Sequence, residues 1–431
     1  MVRALRYRNY RLFFGGQVVS LVGTWITTTA TNWLVYRLTG SAVMLGTVAF
    51  ASQLPSFLLG PFAGIIVDRI DRHRLLVVTQ TISMLQSFAL AGLVFSGHVT
   101  IGWLIALGIV QGLVNAFDMP GRQAFLLTMI EKKEDLGNAI ALNSSMVNLA
   151  RLIGPSIAGV VIATAGEGWC FAIDGVSYIA VIVALLRMRI GPLPARTAGE
   201  RHAITEFVEG LRYAFGFRPI RSVILLLAIV SLVGVPYSVL MPVFATTVFH
   251  GGPHTLGILM TSSGCGALCG ALWLAGRRSV VGLGRVIPMA AAVFGAGLIS
   301  FSVAPALWIA IPCLVLAGFG FMVQMASSNT IIQTIVDDEK RGRVMSFYMM
   351  AFLGTAPFGS LIAGWMSSRV GPARTLQVAG LSCLMAAIWF ARALPAIRQA
   401  VRPIYVRLGI LPEMAAGLNT AAEASVPPER G

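Results

Sequence analysis

Twelve apolar runs of roughly 20 residues follow one another through the chain, each long enough to cross a hydrocarbon core of about 30 Å as a helix. A backbone surrounded by lipid must satisfy its own N–H and C=O groups, which leaves only helices or a closed barrel. Barrel strands alternate apolar and polar residues over about ten positions, whereas these runs are apolar all round. The pattern predicts an all-α membrane protein of twelve transmembrane helices. Composition excludes a water-soluble fold: 11% of residues are charged and 56% hydrophobic, where a soluble domain carries about 25% charge.

Turn residues and charge clusters place the spans near 11–37, 43–67, 75–96, 101–123, 139–165, 169–189, 221–249, 255–276, 285–303, 306–331, 344–368 and 373–393. A net charge of +15 would suggest a nucleic-acid partner in a soluble protein, but here the charge alternates between loops. Of the 32 Lys and Arg, only Arg37, Arg369 and Arg374 fall in odd-numbered loops, and Arg122 and Arg151 lie within or at the edge of spans. The others occupy the termini and even-numbered loops, which the positive-inside rule assigns to the cytoplasm. The expectation is a multi-pass protein of the cytoplasmic (inner) membrane, both termini cytoplasmic, with the lipid bilayer as its surroundings and no nucleic-acid partner. The basic start, MVRALRYRNYRLFF, lacks a small-residue cleavage site and leads into a retained first helix. Five cysteines scattered among apolar neighbours supply too few ligands for a metal and read as packing residues.

The longest internal polar stretch, Arg189 to Arg221, contains Pro192, Pro194 and the amphipathic sequence TEFVEGLRYAFGF. It divides the chain into an N-terminal six-helix bundle (1–190), a cytoplasmic linker with an amphipathic helix (191–220), a C-terminal six-helix bundle (221–393) and a cytoplasmic tail (394–431). The halves read as copies. A shift of 205 overlays ARLIGPSIAG on TAPFGSLIAG, matching Gly154 with Gly359, Ala158 with Ala363 and Gly159 with Gly364. A shift of 211 aligns Gly40 with Gly251 and Gly46 with Gly257. Two parallel six-helix repeats with a site between them are the architecture of a secondary transporter.

Polar residues inside spans carry the functional signal, because an ionisable group in lipid is costly unless paired, protonated or facing water. The fourth span sets Gln111, Asn115, Asp118 and Arg122 at spacings of 4, 3 and 4, one helical face. Asp118 is the leading candidate for proton coupling, with Arg122 one turn away and Arg151 of the fifth span able to reach toward it. The competing reading is a structural ion pair stitching the fourth and fifth spans. The first span aligns Gln17, Ser20, Thr24, Thr27 and Thr31, with Trp25 beside them. With Asn148, Tyr237, Gln324 and Ser328 these predict a neutral, aromatic-lined cavity suited to an apolar or zwitterionic solute. Asp174 is expected near the external end of the sixth span, in an interfacial or structural role.

The loop GIIVDRIDRHR, Gly64 to Arg74, resembles the signature loop of the major facilitator superfamily. The resemblance implies that Asp68 latches the outward-open state, with Gly64 at a close contact and Arg69, Arg72 and Arg74 as a cytoplasmic clamp. Asp71 stands where many members have glycine, and the matching segment of the second half, AGRRSVVGLGR, has no acid. GPSIAG resembles the Gly-Pro motif of family antiporters, which implies tight helix packing at Gly154, Pro155 and Gly159; the small-residue spacing supports it. Gly108 takes the place of the family's usual arginine in the fourth span. NAFDMPGRQAF, NAIALNSSMVNLARLIGP and GLRYAF resemble the branch containing the enterobactin exporter and macrolide efflux proteins, which implies outward movement of siderophores or drug-like compounds in exchange for protons.

No Walker lysine, HExxH or Gly-x-Ser-x-Gly occurs, and all five histidines lie in loops. No enzyme activity, cofactor or metal is expected. The reading is a monomeric secondary transporter exporting small organic molecules by alternating access, with protons as the coupled partner. Solute uptake or lysophospholipid flipping by the same fold is the alternative, followed by a membrane sensor.

Overall fold

A computed structural model describes residues 3–130, 132–189, 211–277 and 279–410. Among these residues there is helix and no strand. In chain order the helices are α1 (Arg8–Thr39), α2 (Ala42–Arg69), α3 (Arg72–Phe95), α4 (Ile101–Thr128), α5 (Lys133–Ala165) and α6 (Glu167–Leu186). The second set is α7 (Arg218–Val248), α8 (Pro253–Ala275), α9 (Leu283–Ser302), α10 (Leu307–Ile335), α11 (Lys340–Val370) and α12 (Pro372–Arg407). Eleven are long and apolar enough to cross a membrane. The twelfth, α1, falls short because its Gln, Ser and Thr residues dilute its hydropathy.

Local chemistry sets the breaks. Ser41 and Thr100 accept from the backbone N–H groups of Met44 and Trp103 at 3.4 Å, capping α2 and α4. Asp71 accepts from the N–H groups of His73 and Arg74 at 2.9 and 3.3 Å, so the residue standing in a glycine position serves as the N-cap of α3. Gly166 and Gly371, at φ of +89° and +88°, turn α5 into α6 and α11 into α12. They are related by the same shift of 205, a φ that only glycine adopts freely. α7 is irregular: π-helical turns at Val230–Gly234 and Phe244–Val248 flank a 3-10 stretch, Val235–Leu240. Pro236 and Pro242 remove the N–H groups that a continuous α-helix would need. α12 runs past residue 393 to Arg407, so the first part of the expected tail is helix, with Leu394, Ile397 and Val401 buried and Arg398 and Arg402 exposed. Most of the expected linker and the end of the tail lie outside the described residues.

Helices α1 to α6 pack among themselves, as do α7 to α12, and the two sets meet along α5 against α8 and α2 against α11. These seams are built on the glycines that the repeat pairs. A Cβ on Gly159 would lie 3.0 Å from both the Gly257 Cα and the Pro253 carbonyl oxygen. On the other side, a Cβ on Gly364 would overlap the Ala42 carbonyl oxygen, and one on Gly46 the Ser360 carbonyl oxygen. Gly159 corresponds to Gly364 and Gly257 to Gly46, so one contact is used twice. Both seams lie toward the α1–α2, α5–α6, α7–α8 and α11–α12 turns. Toward the opposite end Phe62, Ile66 and Ser144 are exposed.

Candidate functional site

Where the halves converge, the Arg151 guanidinium stacks over the Trp25 ring of α1 at 5.6 Å and over the Phe321 ring of α10 at 5.5 Å. Gly154, one turn along α5, admits this arrangement: a Cβ there would collide with the Trp25 Cβ. The same contact recurs in the other half, where Gly359 abuts the Leu232 carbonyl and Pro236 of α7. Phe57 and Phe50 of α2 pack edge-on against Phe358 of α11 at 5.6 and 5.5 Å, closing the other flank. The meeting point is therefore aromatic with one cation in it. Trp25 was legible in the sequence; Phe50, Phe57, Phe321 and Phe358 were not, because an aromatic in an apolar run carries no sign of facing the partner half.

The polar stripe of α4 faces α3 instead of the space between the halves. Asp118 is buried, ion-paired with Arg122, and accepts from Thr79 Oγ1 and Gln80 Nε2 at 2.8 Å each. Arg122 also donates to Gln17 Oε1 at 2.8 Å, and Gln111 donates to Ser83 Oγ at 3.2 Å and Asn115 Oδ1 at 3.1 Å. The pair thus stitches α4 to α3 and α1, not to α5, and Arg151 does not reach it. Gln17 is consequently part of the bundle interior, where a cavity wall was expected. Tyr237, bonded to Ser263 of α8, and Gln324 with Ser328, bonded at 3.4 Å, are likewise buried inside the second half. Asn148 gives its amide to the Ser144 carbonyl at 2.9 Å, and Thr24 its hydroxyl to the Ser20 carbonyl at 3.0 Å, each satisfied on its own helix. Of the expected cavity residues, Trp25 is the one that the structure sets against both Arg151 and the convergence of the halves.

Asp174, expected in an interfacial or structural role, is buried in the first half. It lies two turns into α6, 2% exposed, accepting from Ser87 Oγ of α3 at 2.9 Å while its Oδ1 has no partner. Gly23 of α1 makes room for it. No cation pairs with it among the described residues, unlike Asp118. At the membrane boundary of α6, Arg37 holds Glu167 at 2.6 Å. In the signature loop, Gly64, Asp68 and Arg69 fall in the last turns of α2, with the two side chains outside the described residues; Arg72 and Arg74 open α3, and Arg74 lies 3.6 Å from Asp71. A groove of about 380 Å³ between α5, α8 and α10 is lined by Ser156, Gly159, His254, Thr261 and Cys265. No group of three His, Cys, Asp or Glu side chains that could hold a metal occurs among the described residues.

Residues 2–405 match the family described as transmembrane secretion effectors. The chain is 29% identical over 385 residues to the Staphyloferrin A transporter of Staphylococcus aureus, covering 88% of this chain and 95% of that one. It is 27% identical over 401 residues to the multidrug efflux pump Tap of Mycobacterium tuberculosis, covering 89% and 92%. In fold it resembles a POT family transporter crystallised with 5-aminolevulinic acid, at a TM-score of 0.73 and 10% identity over 90% of this chain and 96% of that one.

Proposed function

The chain belongs to the transmembrane secretion effector family of major facilitator transporters, and from that premise we propose that it exports siderophores or drug-like organic molecules by alternating access. It is a multi-pass membrane transporter of a small-molecule substrate and not an enzyme. One observation carries the export cycle: an aromatic meeting point between two bundles, with two equivalent glycine seams toward one end, which we read as closed, the other end being the open one. The open end bears the basic loops, so the positive-inside rule orients it and both termini to the cytoplasm. That is the loading state of an exporter in the inner membrane. The substrate class follows the relatives' own, a siderophore transporter and a multidrug efflux pump.

The signature loop, Gly64 to Arg74, serves as the latch that closes the cytoplasmic end after loading, with Asp68 as its acid and Arg69, Arg72 and Arg74 as its clamp. The energy comes from protons moving inward, through a monomer. Two buried carboxyls of the first half are the coupling groups to separate. Asp118 is the candidate raised by its place in the fourth span, and Asp174 is favoured by its lack of a cation, since a group that must bind and release a proton works against a fixed counter-charge. Everted vesicles incubated with macrolides, fluorescent dyes and catecholate siderophores in the medium test the reading. Proton-gradient-dependent accumulation of any compound supports it. Accumulation only in right-side-out vesicles overturns it in favour of uptake, and none in either orientation overturns it outright.

A further inference from the structure

Arg151 is the nineteenth of 33 residues in α5, which at 1.5 Å per residue puts it about 20 Å inside the Gly166 turn, at mid-membrane depth. A full charge there is expensive unless it is compensated or functional. The other half-buried cation within the spans of the first half, Arg122, is compensated by Asp118 and by Gln17. Arg151 has neither kind of partner. Among the described residues no carboxylate pairs with it, none of its N–H groups donates a hydrogen bond, and none is sealed away as the Arg122 Nε is. Among the described residues the rings it lies over are those of Trp25 and Phe321, one from each half. Ring contacts engage the face of a guanidinium and leave the donors at its edge available, and Arg151 is half-buried, not sealed away.

We propose that Arg151 is the recognition point for an anionic group, a carboxylate or an equivalent oxyanion, on the transported molecule, with the half-buried Trp25 beside it. The proposal rests on the transporter reading and narrows the substrate it would take. A purely structural brace between two aromatic rings has no use for five unsatisfied donors, and an apolar side chain would fill that place at lower cost. Carboxylate recognition uses the fork geometry that only arginine offers. Because Trp25 and Phe321 come from opposite halves, an anion seated on Arg151 acts on a side chain through which the two bundles meet, and so can bias their relative position.

The purified full-length protein in lipid nanodiscs tests this directly, with acid and amide pairs of equal shape as probes: 2-naphthoate against 2-naphthamide, and salicylate against salicylamide. The acids are expected to bind about tenfold to a hundredfold more tightly than the amides, the range of one charge-assisted hydrogen-bonded pair. Arg151→Gln removes that preference by weakening the acids alone. In the wild-type chain, the acids but not the amides protect Arg151 from phenylglyoxal, read by mass spectrometry of its peptide, so the result stands even if the variant does not fold. Equal binding of acids and amides, no binding of either acid, or equal loss of both classes in Arg151→Gln overturns the proposal. Binding with these preferences but without efflux of the same acids from vesicles would retain the site and overturn the export reading instead.

Discussion

Substituting Gly46 or Gly364 with alanine should unseal the end of the molecule that is closed here. The added Cβ at Gly46 overlaps the Ser360 carbonyl oxygen and the one at Gly364 overlaps that of Ala42. Both obstacles are backbone atoms, so no rotamer change relieves them and α2 must move from α11. Overpacking of this kind costs about 1–3 kcal/mol. The intrinsic helix gain of alanine over glycine, about 0.5–1 kcal/mol, applies equally in both states of a transport cycle and cancels. At about 1.4 kcal/mol per decade, the equilibrium should shift toward the opposite opening by roughly fivefold to over a hundredfold. Spin labels at Leu38 and Val370, both exposed beside the turns at the closed end, would report the change by pulsed electron resonance in a cysteine-free background. Gly92→Ala is the control, since nothing lies within 4 Å of a Cβ there. The expected result is a new, longer distance population in Gly46→Ala and Gly364→Ala and none in Gly92→Ala. Identical distributions in all three would show that the seams do not hold the closed state, and the argument from them would fall.

Asp118→Asn leaves the half-buried Arg122 without its counter-charge and should destabilise the first half by about 1–3 kcal/mol, seen as a lowered melting temperature; the double change with Arg122→Gln should recover most of it. Unchanged melting in Asp118→Asn would remove the structural role. Asp174→Asn keeps an acceptor for Ser87 and should fold normally, yet abolish gradient-driven transport while leaving substrate binding intact; retained gradient dependence excludes Asp174 from coupling. Asp71→Ala removes the cap of α3 and should cost about 1 kcal/mol, whereas Asp71→Asn should cost little, as read by thermal unfolding.

The helices and the duplication were legible in the sequence because both leave linear traces: run length, charge between runs, and glycines at constant offset. Gly159 and Gly364 could be paired from the sequence alone, and the structure adds that each meets the other repeat's partner, Gly257 and Gly46. The site was less legible. A stripe such as Gln111, Asn115, Asp118 and Arg122 shows that one face of α4 avoids lipid, but bundle interior and water-filled cavity avoid it equally, and the stripe faces α3. Gln324 and Ser328 misled for the same reason. Arg151 was visible as an intramembrane charge, yet its aromatic partners come from spans 126 residues before it and 170 after it, a distance no local pattern bridges. The irregular course of α7 was hidden as well: its prolines were visible, but its apolar residues read as a plain span.

The two bundles, though copies, have been furnished differently. The first is tied internally by hydrogen bonds and a buried ion pair around Asp118, while the second is filled by aromatic rings, with Phe244 and Phe301 at 4.8 Å and Phe294 and Phe321 at 5.5 Å. Directional bonds break when any one member is replaced, whereas rings of similar volume can be exchanged and repacked. Volume-preserving change is therefore tolerated more readily inside the second bundle than inside the first, whose interior holds its shape through bonds that have few substitutes.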